Sequence, residues 1–426
     1  MISLQKARDI IRKETPVLPS ERVELSRSLD RVLAEDIKAA FDMPPFDRAA
    51  MDGYAVNAVD TRGAGARSPV VLKVCGEIPA GAVVAKIAWR KAGQASPPRR
   101  EGKWPEKGSA TSIMTGAVLP VNCDSVVKIE ETEEFTENQE KKVRIFKEVE
   151  PGRDISFRGE DLKKGETILK KGRIVTPATL AMLAYLGRKE VKVFRKPEVA
   201  IVATGDEIKK VGERLLVGQI YNSNSYGIYG QVLTSGGNPY LLGIARDNPA
   251  SLSRFIKKGL EYDMLIMSGG VSAGKYDLVV GILEKMGVKM LFWKVAVKPG
   301  KPVFFGQKGK TVVFGLPGYP VSSYLCFEIL STFAFAKMLG RNKPEKFKIE
   351  AVLESELNNP EDRDSFIRVK IVWRNNRYFA IPYPTQKSGV LRSLTESDGI
   401  AHLKRRETKK ENEKIMVEVF EGGVRS

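Results

Sequence analysis

The chain is poor in the residues on which most hydrolases, metalloenzymes and secreted modules depend. Among 426 residues there is one histidine, His402. A single imidazole cannot build a His-rich zinc site, and it removes the usual His-dependent base schemes unless His402 is itself the base. His402 lies in the polar, basic run AHLKRRETKK, where an ordinary surface histidine is expected. Cysteine is also scarce: Cys75, Cys123 and Cys326 are far apart, odd in number and form no CxxC. That usage argues against a disulfide framework and for a reducing, cytoplasmic setting. No run of 18 apolar residues occurs, and the opening MISLQKARDIIRKETP lacks the apolar stretch of a signal peptide. The expectation is a protein that neither spans a membrane nor leaves the cell by a standard signal. The α/β segment described below has neither GxGxxG nor the eight-residue phosphate-loop pattern, which disfavours a standard dinucleotide fold or a common ATPase.

What the chain does contain is turn residues and positive charge. Its length and 42% hydrophobic content suit about two to four domains with their own cores. The 38 Gly and 23 Pro fit many turns and strands. Lys and Arg total 70 against 52 Asp and Glu, a net +18 that favours anionic partners without selecting one. The basic residues are dispersed and follow no zinc-finger or base-stacking pattern, so no specific nucleic-acid partner is expected.

Leu4, Ala7, Ile10 and Ile11 have helical spacing, and the same spacing at Leu29, Leu33 and Ile37 predicts a second helix. FDMPPFDRAAMDGYAV reads as a loop entering a strand, followed by short strands at 70–75, 125–129 and 142–147. The stretch 84–110, with seven Lys or Arg against two Glu, reads as a basic loop or insertion. Thr176 and Pro177 are a helix N-cap and first residue, with Gly187 as the stop. From residue 196, apolar strands alternate with helices at 223–233, 252–260 and around 277–287. That order predicts a three-layer α/β domain with a mostly parallel sheet. The last 85 or so residues alternate as strands and predict a small β-barrel or sandwich. The expected fold is therefore multidomain, α+β and α/β. It has a discontinuous first domain of residues 1–44 and 149–190 and an inserted β-rich domain at 45–148. The α/β domain spans 191–340 and the C-terminal β domain 341–426.

In parallel sheets ligands sit beyond the carboxyl ends of the strands. Three such ends carry polar text: ATGDE at 203–207, RDN at 246–248 and SGGVSAGKYD at 268–277. Gly269 and Gly270 allow a tight turn with converging N–H groups suited to a phosphate, and Ser268 and Ser272 add hydroxyls. Lys294, Lys298 and Lys301 in FWKVAVKPGKP would attract a polyanion. GLPGYPVSS offers backbone amides at a helix start. Asp47, Asp52, Glu160, Asp161, Asp206, Glu207, Asp247 and Asp277 lie in turn contexts, where each serves either as a cap or ion-pair partner or, beside an anionic ligand, as a Mg²⁺ ligand.

Read together, these stretches resemble the MoeA family of molybdopterin molybdenumtransferases, related to the C-terminal part of gephyrin. The carrying text is PPFDRAAMDGYAV, IMTGAVLP, RGEDL, ATGDE, GQIYNSNS, RD, SGGVSAGKYD, FWKVAVKPGKP and GLPGYPVS, in that order along the chain. The resemblance implies a homodimer of four-domain subunits and a cleft built by both subunits. It also implies Mg²⁺-dependent insertion of molybdate or tungstate into adenylylated molybdopterin with release of AMP, and a possible adenylyltransferase partner. Carried over by motif, it implies catalytic roles for Asp52, Thr115, Asp161, Glu207 and Asp277, with Glu207, Asp247 and Asp277 on the metal. Lys294, Lys298, Pro317, Pro320, Arg368 and Ser388 join Ser268, Gly269, Gly270 and Ser272 in substrate binding. Two departures stand out: Tyr319 where the family usually has Asn, and the long basic stretch 84–110. A non-catalytic molybdopterin-binding scaffold of the same fold is the alternative.

Overall fold

The computed structural model describes residues 1–81, 106–270, 278–341, 344 and 346–420. The chain forms two compact units, one of residues 36–170 and one of residues 1–35 with 171–426.

The 36–170 unit is built on a six-stranded sheet in the order Ser125–Lys128, Gly53–Val56, Ser109–Ile113, Val70–Ile78, Glu140–Ile145, Thr132–Glu137. Tyr54, Val56, Leu72, Ala110, Val127, Val143 and Ile145 fill one core, while Ala55, Ile113 and Val126 face another. The alternation along Gly53–Val56 is the period-two pattern of a strand buried on both sides.

In the larger unit, α1 (Leu4–Glu14) buries the stripe Leu4, Ala7 and Ile11 and is capped by Ser3, which accepts from Lys6 N. The helix predicted over Leu29–Ile37 does not form. Asp30 adopts φ 61°, which interrupts a right-handed helix. The N–H groups of Asp30 and Leu33 instead donate to Val175 O and Arg173 O, and that of Ala34 to Lys192 O. Two flanking segments supply the pairing a helix would have made internally, while Leu33 and Ile37 are still buried. Further on, α2 (Pro177–Tyr185) starts on Thr176 and is followed by Gly187 at φ 71°.

The α/β portion runs β1 (Glu198–Thr204), α3 (Ser223–Thr234), β2 (Asn238–Ala245), α4 (Pro249–Gly259), β3 (Met264–Ser268), α5 (Leu278–Lys285), β4 (Lys289–Trp293), β5 (Phe304–Lys308), β6 (Thr311–Leu316), α6 (Pro320–Cys326) and α7 (Thr332–Met338). The strands lie in the order β2-β1-β3-β6-β5-β4; β2, β1, β3 and β6 are mutually parallel and β5 runs against them. Alternate residues face two cores. Val199, Ile201, Met264 and Ile266 pack with α1, α3, α6 and α7, whereas Ala200, Val202, Leu265 and Met267 pack with α4 and α5. This is the three-layer arrangement predicted from the near-continuous apolar strands. One detail was not legible: the apolar run after α6 widens into a π-helical turn at Phe327–Ser331. Arg8 Nε donates to Ile329 O within that turn at 3.0 Å.

Strands β7 (Lys348–Leu353), β8 (Asp364–Arg374), β9 (Arg377–Pro382), β10 (Gly399–Leu403) and β11 (Lys414–Val419) close into a barrel in the order β8-β9-β7-β11-β10, sealed by β8 pairing with β10. Closure removes the exposed edges that a small open sheet would leave.

Candidate functional site

The four parallel strands β2, β1, β3 and β6 end side by side. Thr204 pairs with Ala245, Ala203 with Ser268, and Ser268 with Leu316. The polar segments that follow them are therefore neighbours along one edge of the sheet: Gly205–Glu207, Arg246–Asp247, Gly269–Gly270 and Pro317–Pro320. Sequence separation of more than a hundred residues is erased by parallel register.

Gly269 and Gly270 have φ 97° and 69°, left-handed conformations disfavoured for other residues. A Cβ on Gly269 would stand 2.7 Å from Thr204 O, so the turn is pressed against the neighbouring strand end. The Thr204 hydroxyl is buried beneath both glycines and has no hydrogen-bond partner among the described residues. Asn224, in the first turn of α3, donates through Nδ2 to Ser268 Oγ and to Gly318 O, each at 2.8 Å. One amide thus ties the turn after β3 to the turn after β6. Ser272 and Asp277 lie outside the described residues.

Glu207 folds its carboxylate back over Gly205, where a Cβ would lie 2.4 Å from Oε2. Gly205 leaves the space in which this carboxylate rests. Asp247, after the adjacent strand, is exposed, and its N–H points to Asp206 Oδ1 at 3.4 Å. Arg246 reaches Asp206 O at 3.0 Å and bridges the same two strand ends. Among the described residues no group of three or more His, Cys, Asp or Glu side chains is arranged to hold a metal ion. Asp277, the third carboxylate of the expected set, is outside that description.

Lys294 follows β4, whose direction matches the parallel strands, and adopts φ 72°. Its ammonium lies 3.8 Å from the centre of the Trp293 ring, a cation–π contact. Lys298 donates to Glu361 at 2.5 Å, and that bond holds the Glu361 carboxyl below its ordinary pKa. Part of the positive charge expected for an anion is therefore already engaged. Gly300, in the same loop, packs on Cys326 of α6, whose thiol donates to Gly300 O at 3.4 Å.

Arg368 on β8 is fully buried. Its Nη2 donates to Thr385 O at 3.1 Å, while Nε and Nη1 have no partner among the described residues. Burial lowers its pKa to about 10, which leaves it charged at neutral pH. Gln386 completes a clamp: Oε1 accepts from Arg368 N, and Nε2 donates to Arg368 O and Tyr383 O. The loop fixed in this way carries Ser388, whose carbonyl accepts from Val321 N at the start of α6. Pro317 and Pro320 bracket the turn between β6 and α6.

In the 36–170 unit, Asp52 and Thr115 meet as a pair. Thr115 donates to Asp52 Oδ1 through its N–H at 2.6 Å and its hydroxyl at 2.8 Å, and these bonds hold the carboxyl below its usual range. Asp161 is exposed in a turn whose backbone N–H donates to Met43 O at 3.0 Å. Two other carboxylates act as turn caps: Asp47 accepts from Arg158 N, and Glu160 from Phe157 N.

Three residues that matter locally were not singled out by sequence reasoning: Thr204, Asn224 and Gln386. Asn224 lies within the quoted NSNS text, but four small polar residues in a row do not reveal which one reaches across to Gly318. Thr204 and Gln386 act on residues distant in sequence and leave no periodic trace.

Three family models match the chain end to end. They are the MoeA N-terminal region (domain I and II) over residues 2–187, a probable molybdopterin binding domain over 200–337, and the MoeA C-terminal region (domain IV) over 350–420. A molybdopterin molybdenumtransferase of Bacillus subtilis is 36% identical over 387 residues, covering 90% of this chain and 86% of that protein. That of Haemophilus influenzae is 36% identical over 358 residues, covering 83% and 82%. Two crystal structures of a molybdopterin biosynthesis MoeA protein from Pyrococcus horikoshii superpose with TM-scores of 0.81 and 0.79. They share 33% and 31% identity with this chain and cover 99% of it and 100% of theirs.

Proposed function

The chain belongs to the MoeA family and is a molybdopterin molybdenumtransferase of molybdenum cofactor biosynthesis, and from that premise we propose that it inserts molybdate or tungstate into adenylylated molybdopterin with the help of Mg²⁺, releasing AMP. The observation that carries this reading is the meeting of four parallel strand ends, with a glycine turn suited to phosphate beside two carboxylates.

Glu207 and Asp247 fit a hard divalent ion. Their oxygens are of the type Mg²⁺ prefers, they follow neighbouring strands, and the first already rests in the gap left by Gly205. When bound, Mg²⁺ neutralises phosphate charge and polarises the bond that breaks. The protein's own groups do the rest. The Gly269 N–H is taken by Leu316 O at 3.1 Å, so the Gly270 N–H at the tip of the turn receives the phosphate, with Asn224 keeping that turn in register with Gly318. Lys294 and Lys298 supply positive charge for the oxyanion once the anion displaces their present contacts with Trp293 and Glu361. Arg368 and Gln386 hold the loop that presents Ser388. An oxygen of water or of molybdate attacks one phosphorus of the pyrophosphate linkage and the P–O bond to the bridging oxygen breaks, so that net hydrolysis gives AMP and molybdopterin phosphate. Asp52, Thr115, Asp161, Asp277 and Ser272 complete the set of residues proposed from the motifs.

The same reading proposes the four-domain division given above, a homodimer, a cytoplasmic setting and an adenylyltransferase that supplies the adenylylated substrate. Glu207→Gln tests the ion. The amide keeps the shape but gives up the negative charge, so single-turnover AMP release falls about 10²-fold or more at limiting Mg²⁺ while pterin binding persists. An unchanged rate at limiting Mg²⁺ would remove Glu207 from the metal.

A further inference from the structure

Tyr319 stands in the turn between β6 and α6, next to the strand-end site. It occupies the N-cap position of α6 yet makes no capping hydrogen bond through its side chain. Pro320 follows as the first helical residue and needs no N–H partner, so the tyrosine is not retained to start the helix. Its side chain is also not a core element, being 67% exposed. A ring mostly in water adds little stability to the fold and leaves its face open to a ligand.

Its position is the rim of the strand-end site. Gly318, immediately before it, lies against the glycine turn; a Cβ there would stand 3.6 Å from Gly269 Cα. On the other side the Tyr319 ring is 3.8 Å from where a Cβ of Gly389 would be, next to Ser388. The ring thus meets the barrel loop at Gly389, while the residue before it, Gly318, lies against the glycine turn. Asn224 holds Gly318 through its carbonyl oxygen, and the Val321 N to Ser388 O bond holds the loop. An aromatic with only two side-chain torsions, beside the barrel loop on one edge and open on most of its surface, is suited to stacking on a planar ligand.

We propose that Tyr319 stacks on a heteroaromatic ring of the substrate and so sets affinity for it. The inference rests on the reading above, in which the substrate carries both an adenine and a pterin. Ring stacking recognises the shared chemistry of the two, and the experiment separates them. Tyr319→Ala, Tyr319→Asn and Tyr319→Phe are titrated with AMP and with adenylylated molybdopterin, both without molybdate. Loss of the ring in the Ala and Asn variants weakens adenylylated molybdopterin about tenfold, whereas Tyr319→Phe stays within about twofold of the parent. A matching loss for AMP assigns the stacked ring as adenine; an unchanged AMP affinity assigns it as the pterin. Parent-like affinity of Tyr319→Ala for both probes overturns the proposal. If the unmodified protein binds neither probe, the functional reading falls, and this inference with it.

Discussion

At the scale of single residues, the site depends on atoms that are missing as much as on those present. Gly269 lies where a Cβ would come within 2.8 Å of the Thr204 hydroxyl and 2.7 Å of its carbonyl, at a φ that other residues rarely adopt. Substitution there must move the turn away from the strand end. Gly269→Val is therefore expected to weaken adenylylated molybdopterin by about 10² or more, through clash with Thr204 and displacement of the Gly270 N–H. Ser268→Ala removes only one partner of Asn224 and is mild by comparison. Isothermal titration of both variants reads the difference; wild-type affinity in a folded Gly269→Val protein would place the phosphate elsewhere. The glycine pair was legible in the sequence because SGG after an apolar strand implies a turn at a strand end. Thr204 was not, because its role comes from the neighbouring strand of the sheet.

At the scale of elements, legibility followed the locality of the signal. Thr176–Pro177 and Gly187 bound a helix as local chemistry dictates, and the alternating strands and helices from 198 to 316 form the layered sheet their patterning required. Leu29, Leu33 and Ile37 kept helical spacing and yet formed no helix, because segments 173–175 and 192–194 took their backbone partners. The spacing marked Leu33 and Ile37, which are buried, but also Leu29, which is exposed, and the hydrogen-bond partners that decide helix or strand are a tertiary matter. The loop around Gln386 shows the same limit. QKSGV gives no sign that its glutamine grips the backbone of Arg368 on both sides, or that the arginine is fully buried beneath it. The resemblance put Arg368 among the binding residues; in the fold its Nη2 supports the Ser388 loop, while Nε and Nη1 have no partner among the described residues.

At the scale of the whole molecule, the residues proposed for the reaction are shared between the two compact units. Asp52, Thr115 and Asp161 belong to one and the strand-end set to the other. The homodimer is a proposal that rests on the MoeA resemblance. Sedimentation at micromolar concentration is expected to give about twice the 47.2 kDa chain mass, and a single-chain species alone would reject the dimer. The more direct question is whether the strand-end site turns substrate over or only holds it. The decisive measurement is AMP released from adenylylated molybdopterin in a single turnover with Mg²⁺, with molybdate or tungstate added or withheld. The account predicts stoichiometric AMP that depends on both Mg²⁺ and the oxyanion. Substrate that stays bound and intact under those conditions would contradict it and leave the chain a scaffold.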